Sequence, residues 1–199
     1  MRPKIRYFVF NKPYDVLSQF TREAGHQSIA DFFILDLKDV YPIGRLDKDS
    51  EGMLLLTNDK SLNSALLSPK ALKTKTYLVQ VEGKLDKTAI SKLSEGLRIT
   101  IDKKEYTTLP AKVKMVDEPK HLWERNPPVR YRKEIPTTWA EISIKEGKNR
   151  QIRRMFAAVG FPVLRLVRIA VENLVLDRIL PGDVQEFDKQ EFFNKLNIK

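Results

Sequence analysis

A carboxylate and a guanidinium two residues apart stand in the run Gly44-Arg45-Leu46-Asp47, which is followed by Ser50, Gly52, Leu54-Leu55-Leu56 and Thr57-Asn58-Asp59. In an extended segment residues i and i+2 point to one side. Arg45 and Asp47 therefore share a face that can look into a cleft, while Leu46 turns to the core. A carboxylate held on a short turn ahead of an apolar strand can serve as a nucleophile or as a general base. An arbitrary Arg-x-Asp is more often a weak surface ion pair, so the spacing gains its meaning from the rest of the chain.

Composition narrows the chemistry. There is no cysteine, which removes disulfides and thiolate metal sites, and the two histidines, His26 and His121, lie far apart in sequence. A histidine-rich metal site and a serine–histidine triad are thereby disfavoured, and no metal is implied. No apolar run approaches the roughly 18 residues of a membrane span, and no charged-then-apolar leader is present, so the expected compartment is the cytoplasm. The formal charge of +10 favours a polyanionic partner. The charge is focused: residues 120–154 hold ten Lys/Arg and four Asp/Glu, with Trp123, Tyr131 and Trp139 among them. Rings interleaved with cations can stack bases while phosphates are neutralised. They can equally pack beneath a solvated basic loop.

The elements that must position these groups follow from periodicity and breakers. At 199 residues the chain has room for one well-buried core, divided at most into two lobes. Tyr7-Phe8-Val9-Phe10 reads as a strand stopped by Asn11-Lys12-Pro13, because proline cannot continue a central strand. Residues 16–20 and 40–43 are apolar stretches on either side of a short helix within residues 28–37. Residues 61–67 read as a helix capped by Asp59 or Ser61 and ended near Pro69. Residues 76–83 alternate as a strand, and residues 87–93 read as a helix ended near Gly96. Further strands are expected at residues 108–116, 138–144, 164–169 and 174–176. A turn at residues 146–149 leads into a helix with Asn149 as N-cap, Gly160 at its end and Pro162 beyond. On that helix Ile152, Met155, Phe156 and Val159 form the core stripe, which leaves Arg150, Arg153 and Arg154 off it. Residues 190–199 read as a peripheral tail, with a helix as an option there. The whole suggests an α+β fold with a mixed, largely antiparallel sheet.

Taken in order, Asn11-Lys12-Pro13, the run at residues 44–59, Lys75-Thr76-Tyr77 and residues 146–155, continued by Gly160, Leu166 and Arg168, resemble the motifs of the pseudouridine synthases of the small-subunit synthase A type. The resemblance spans roughly residues 7–187. Ser50, Met53 and Lys60 stand where that family commonly has threonine, leucine and glycine. Residues 123–139, with Trp123-Glu124-Arg125-Asn126-Pro127-Pro128, Arg130, Arg132-Lys133 and Trp139, look like an insert of the large-subunit synthase E subgroup. The chain starts close to the first strand of the catalytic domain, so the resemblance also implies that the small N-terminal RNA-binding module of some relatives is lacking. Target selection then rests on the catalytic domain and the insert at residues 119–139.

The resemblance implies a fold of two lobes flanked by helices, with Asp47 as the catalytic aspartate in a cleft between them. It implies that Tyr77 stacks on the target base, that Leu166 packs against the uracil, and that Arg153 is the basic partner of Asp47, favouring its charged form. Arg45 would brace the gap left by the extruded nucleotide, and Ile152 belongs with these substrate-binding residues. Lys148, Arg150, Arg154, Arg125, Arg130 and Arg132 are the expected RNA contacts. Asn11 and Lys12 look like structural members of a neighbouring loop without a chemical role. The implied reaction needs no cofactor and acts on a uridine of 23S ribosomal RNA, free or in an assembling large subunit, with the protein a monomer. A non-catalytic ribosomal RNA chaperone on the same fold and a transfer RNA synthase are the alternative readings.

Overall fold

In the computed structural model, which describes residues 4–33, 39–130 and 132–198, the chain divides into two compact units. The first comprises residues 1–73 and 168–199, the second residues 74–167. Along the chain the first unit contributes β1 (Tyr7–Lys12), β2 (Val16–Leu17), β3 (Gln27–Ser28), β4 (Tyr41–Pro42), β5 (Glu51–Thr57) and α1 (Ser61–Leu67). The second contributes β6 (Lys75–Glu82), α2 (Lys87–Glu95), β7 (Arg98–Ile101), β8 (Lys104–Thr107), β9 (Lys112–Val116), β10 (Thr137–Ile144) and α3 (Gln151–Ala158). Strand β11 (Val163–Val171) passes from the second unit to the first, which closes with β12 (Leu174–Val175), β13 (Val184–Phe187) and α4 (Lys189–Lys195). Strands and helices are mixed as the α+β reading expects.

In the first unit β1 lies between β13 and β5, antiparallel to both, with Tyr7 opposite Phe187 on one side and Thr57 on the other. Every residue of β1 and of β5 is buried. That explains why both read as nearly continuous apolar runs rather than as alternating ones. Phe8 and Phe10 on β1 join Leu54 and Leu56 on β5, Ile29 and Val40 in one cluster, flanked by Phe20, Phe32 and Phe33. On the opposite face Tyr7 stacks against Phe192 of α4 with ring centroids 5.2 Å apart. The expected peripheral tail is thus part of the core: Phe192 and Leu196 are fully buried, and Asp188 caps α4 through the Glu191 amide at 3.0 Å. Helix α1 matches its expected bounds, but its N-cap is Lys60, without a side-chain cap, rather than Asp59 or Ser61; the Asp59 carboxylate accepts from the Ser61 amide. Within residues 28–37 the described part is a single tight turn at Ile29–Asp31, and residues 34–37 lie outside the described residues.

In the second unit β10 pairs antiparallel with β6 and with β9, and β11 lies on the other side of β6. Of the single strand expected at residues 108–116 only β9, Lys112–Val116, is a strand; residues 108–111 are an irregular link from the β7–β8 hairpin. Strands β7 and β8 pair from Arg98 opposite Thr107 to Ile101 opposite Lys104, and β9 begins only after Pro110. Proline has no N–H for a ladder, and the break falls there. Helix α3 ends as read: Gly160 adopts φ 93° and donates to Ala157 O, and Phe161 N donates to Phe156 O. Those two bonds form a Schellman cap. Its N-cap differs from the expected Asn149. Arg150 holds that place in the left-handed region, without a side-chain cap, and Gln151 Oε1 accepts from the Lys148 amide.

Candidate active site

The turn that carries Asp47 is braced on several sides within the first unit. Ile43 N donates to Leu55 O at 2.8 Å, and Ser50 N donates to Asp47 O at 3.0 Å. Ser18 bonds Leu46 reciprocally: its hydroxyl donates to Leu46 O at 2.8 Å and accepts from Leu46 N at 3.1 Å. Leu46 is buried, Arg45 is exposed and Asp47 is partly exposed. The alternation read from the sequence is therefore the one observed. Gly52 follows at φ 101°, and a Cβ there would lie 2.3 Å from Arg168 O and 2.8 Å from Arg168 N. Only glycine lets β5 approach that backbone. Arg168 adds a bond from its Nε to Met53 O at 2.7 Å.

Lys12 holds this turn from beneath. Its side chain is fully buried, and Nζ donates to Pro13 O and Val16 O at 2.8 Å each and to Lys48 O at 3.3 Å, the residue after Asp47. Asp15 N also bonds Lys48 O, at 2.9 Å. Burial pushes the Lys12 ammonium down to about 7, against the carboxylates of Glu51, Asp49, Asp15 and Asp47, which favour the charged form. Sequence reasoning saw a loop member in Lys12. A lysine between Asn11 and Pro13 carries no local sign that it will be enclosed; one of its three acceptors, Lys48 O, comes from 36 positions away.

The second unit holds the remaining expected groups. Tyr77 stands on β6 opposite Ile142, and Leu166 stands on β11; both are buried with a narrow exposed margin of 8% and 6%. Ile152 is buried on α3. Arg153 is partly buried, and its Nη1 donates to Val163 O at 3.2 Å, which fixes the guanidinium to the start of β11. The turn before α3 is clamped to the β7–β8 hairpin. Glu146 accepts from the Tyr106 hydroxyl, from Gln151 Nε2 and from the Leu109 amide. The bond to Glu146, with burial, raises the Tyr106 hydroxyl to about 12.

The expected RNA contacts divide into two groups. Arg154 is engaged within the protein: Nη1 donates to Thr100 O at 2.6 Å, and Nε and Nη2 bond Asn149. Arg132 pairs with Glu82 at 3.0 Å, and Arg125 donates to Pro127 O, Pro128 O and Leu164 O. Arg130 and Arg150 are exposed, as is Lys148, whose Nζ lies 5.0 Å from the Tyr106 ring centroid. Of the interleaved aromatics, Trp139 is buried at 6% exposure on β10 and presents no face for a base. Trp123 is partly buried with Arg165 over its ring, and Tyr131 lies outside the described residues.

Among the described residues no group of three His, Cys, Asp or Glu could hold a metal ion. The chain belongs to the RNA pseudouridylate synthase family, whose profile matches residues 6–158. It is 50% identical to the ribosomal large subunit pseudouridine synthase E of Vibrio parahaemolyticus, over 91% of this chain and 73% of that protein. The protein of that name from Xanthomonas axonopodis is 46% identical, over 87% of this chain and 89% of its own length. A crystal structure described as pseudouridylate synthase superposes with a TM-score of 0.79 at 28% identity, covering 97% of this chain and 74% of that one. The chain is a pseudouridine synthase.

Proposed function

We propose that this enzyme isomerises one uridine of large-subunit (23S) ribosomal RNA to pseudouridine, as a cytoplasmic monomer, with Asp47 as its catalytic carboxylate and no cofactor. The observation that carries the reading is the 50% identity to a relative named for the large-subunit substrate. Residues 1–199 act as one catalytic domain, with residues 119–139 as its insert.

The reaction breaks the bond between ribose C1′ and uracil N1, turns the base, and joins C1′ to C5 as the C5 hydrogen leaves as a proton and N1 takes a proton up. Nothing is oxidised and no group is imported. Asp47 acts either by attacking as a nucleophile or by removing a ribose proton. A uridine in folded RNA must leave its stack to be reached, at a cost of a few kcal/mol. The exposed margins of Tyr77 and Leu166 offset part of that cost by packing on the base. Arg153, fixed through Val163 O, supplies positive charge for Asp47, Ile152 is one of the substrate-binding residues, and Arg45 fills the gap left by the flipped nucleotide. Lys148, Arg150 and Arg130 contact phosphates.

The test is release of tritium from C5-labelled uridine in transcripts of 23S ribosomal RNA and of transfer RNA. Stoichiometric release from the ribosomal transcript alone supports the reading; release from transfer RNA alone moves the substrate. Tight binding with no release from either makes the chain an RNA-binding module.

A further inference from the structure

Residues 145–154, the turn into α3 and the first part of the helix, carry five Lys/Arg and one acid, Glu146. By charge alone Glu146 detracts from a surface meant for phosphates. The structure gives it another use, because its carboxylate serves three donors of the protein. Oε2 accepts from the Tyr106 hydroxyl on β8. Oε1 accepts from the Leu109 amide at 2.8 Å and from Nε2 of Gln151, the first residue of α3. Two oxygens thereby join a hairpin strand, the link that follows it and the start of the helix.

Gln151 passes the connection on. It is buried, its Oε1 accepts from the Lys148 amide at 3.0 Å, and its own amide donates to Lys148 O at 3.1 Å. The stretch it closes needs such support: Arg150 lies at φ 49° and ψ 31°, in the left-handed region that residues with a Cβ adopt only where their surroundings hold them. Tyr106 acts twice in this arrangement. Its hydroxyl holds Glu146, and its ring centroid lies 5.0 Å from Lys148 Nζ, within cation–π range. Arg154 closes the other side, with Nη1 on Thr100 O of β7 and Nε on Asn149 O at 3.1 Å. Lys148, Asn149 and Arg150 are themselves exposed.

We propose that Glu146 and Tyr106 are positioning residues for RNA binding: their hydrogen bond, continued through Gln151, holds the Lys148–Arg150 turn in its phosphate-binding shape before RNA arrives. The proposal rests on the function proposed above, which sets Lys148 and Arg150 against phosphates. A turn fixed in advance avoids the ordering cost that a loose basic turn incurs at each encounter. A carboxylate suits the place because it only accepts, and all three groups around it donate.

The experiment measures equilibrium binding, its salt dependence and the single-turnover rate on one probe, a 23S ribosomal RNA transcript with tritium at C5 of uridine, for the full chain. Glu146→Leu removes the acceptor and should raise Kd about tenfold, through the ordering of two long side chains and their turn. The slope of log Kd against log salt should stay within about 0.3 of wild type, less than half of one single-strand phosphate contact at about 0.7, because the contacts still form. The rate at saturation should be unchanged, since Arg153 is held separately through Val163 O. Glu146→Gln is the conservative variant: its carbonyl replaces Oε1, and its amide donates to the Tyr106 hydroxyl, which accepts as well as donates. It should bind no more weakly than wild type. Tyr106→Phe keeps the ring beside Lys148 and should raise Kd about threefold alone, yet add nothing to Glu146→Leu, since both break one connection. It carries the test by itself should Glu146→Leu not fold. If Glu146 acted through its charge, the Leu and Gln variants would both bind RNA more tightly. That result, or wild-type binding by Tyr106→Phe, overturns the proposal, while wild-type tritium release keeps the proposed function standing. A wild type that releases no tritium, with Glu146→Leu or Tyr106→Phe still weakened, overturns the proposed function and keeps the positioning role.

Discussion

Replacing Lys12 by methionine tests whether a buried ammonium braces the catalytic turn. Methionine keeps the length of the stem and removes the donor to Pro13 O, Val16 O and Lys48 O. Each buried carbonyl left without a donor costs roughly 1–3 kcal/mol. Against that loss, the variant no longer buries a charge. The displacement of Lys12 from 10.5 to about 7 corresponds to roughly 5 kcal/mol of disfavoured protonation. The two effects separate by pH. Between about 7 and 10.5 the unfolded chain holds a proton on Lys12 that the folded chain has released, so wild-type stability rises with pH in that window. The contribution is fully present above 10.5 and is lost as pH falls through about 7. Integrated from pH 6 to pH 9, wild type should gain roughly 2–3 kcal/mol relative to Lys12→Met, which has no such proton. Urea unfolding of both proteins at pH 6, 7, 8 and 9 measures the gap, provided that m is shared. A gap that stays flat or narrows as pH rises refutes the burial of a titrating ammonium at this position.

Three more outcomes follow from the same geometry. Gly52→Ala should destabilise by about 3 kcal/mol or more, or prevent soluble expression, because its Cβ would meet the Arg168 backbone at 2.3 Å at a φ that side chains disfavour; an alanine variant with wild-type thermal unfolding contradicts this. Tyr106→Phe should cost about 1–3 kcal/mol by leaving Glu146 short of a donor, read by urea unfolding, and its failure to destabilise would deny the clamp on the hairpin. Arg154→Ala should lower stability by about 1–2 kcal/mol while leaving the salt slope of RNA binding near that of wild type, since its guanidinium is bound to Thr100 and Asn149. A slope flattened as by loss of a phosphate contact would return Arg154 to the RNA surface.

The parts of this protein legible in its sequence are those set by neighbours along the chain. The span of α1 and its end ahead of Pro69 were legible, as was the C-terminus of α3 at Gly160. The outward placing of Arg45 and Asp47 followed from the period of an extended segment. What was not legible depends on distant residues or on turns without their usual markers. The β7–β8 hairpin turns at Asp102 and Lys103, both at positive φ (48° and 65°), where the common signal is Asn-Gly or Asp-Gly; without glycine the turn does not announce itself. Trp139 was grouped with the basic segment by composition, but its place on the central strand β10, flanked by β6 and β9, buries it. Phe192 and Leu196 looked like a tail because nothing near them reveals Tyr7 waiting across the sheet. The arginines of the insert divide into inward and outward only once Leu164, Arg165 and Glu82 are folded against them.

The central claim is that Asp47 carries the isomerisation. It is tested most directly by tritium release from C5-labelled uridine in a 23S ribosomal RNA transcript, with wild type and Asp47→Asn in parallel and RNA binding measured for both. Release by wild type, with none above background from Asp47→Asn and a Kd within about twofold, is the expected result. An asparagine variant that turns over at the wild-type rate contradicts it.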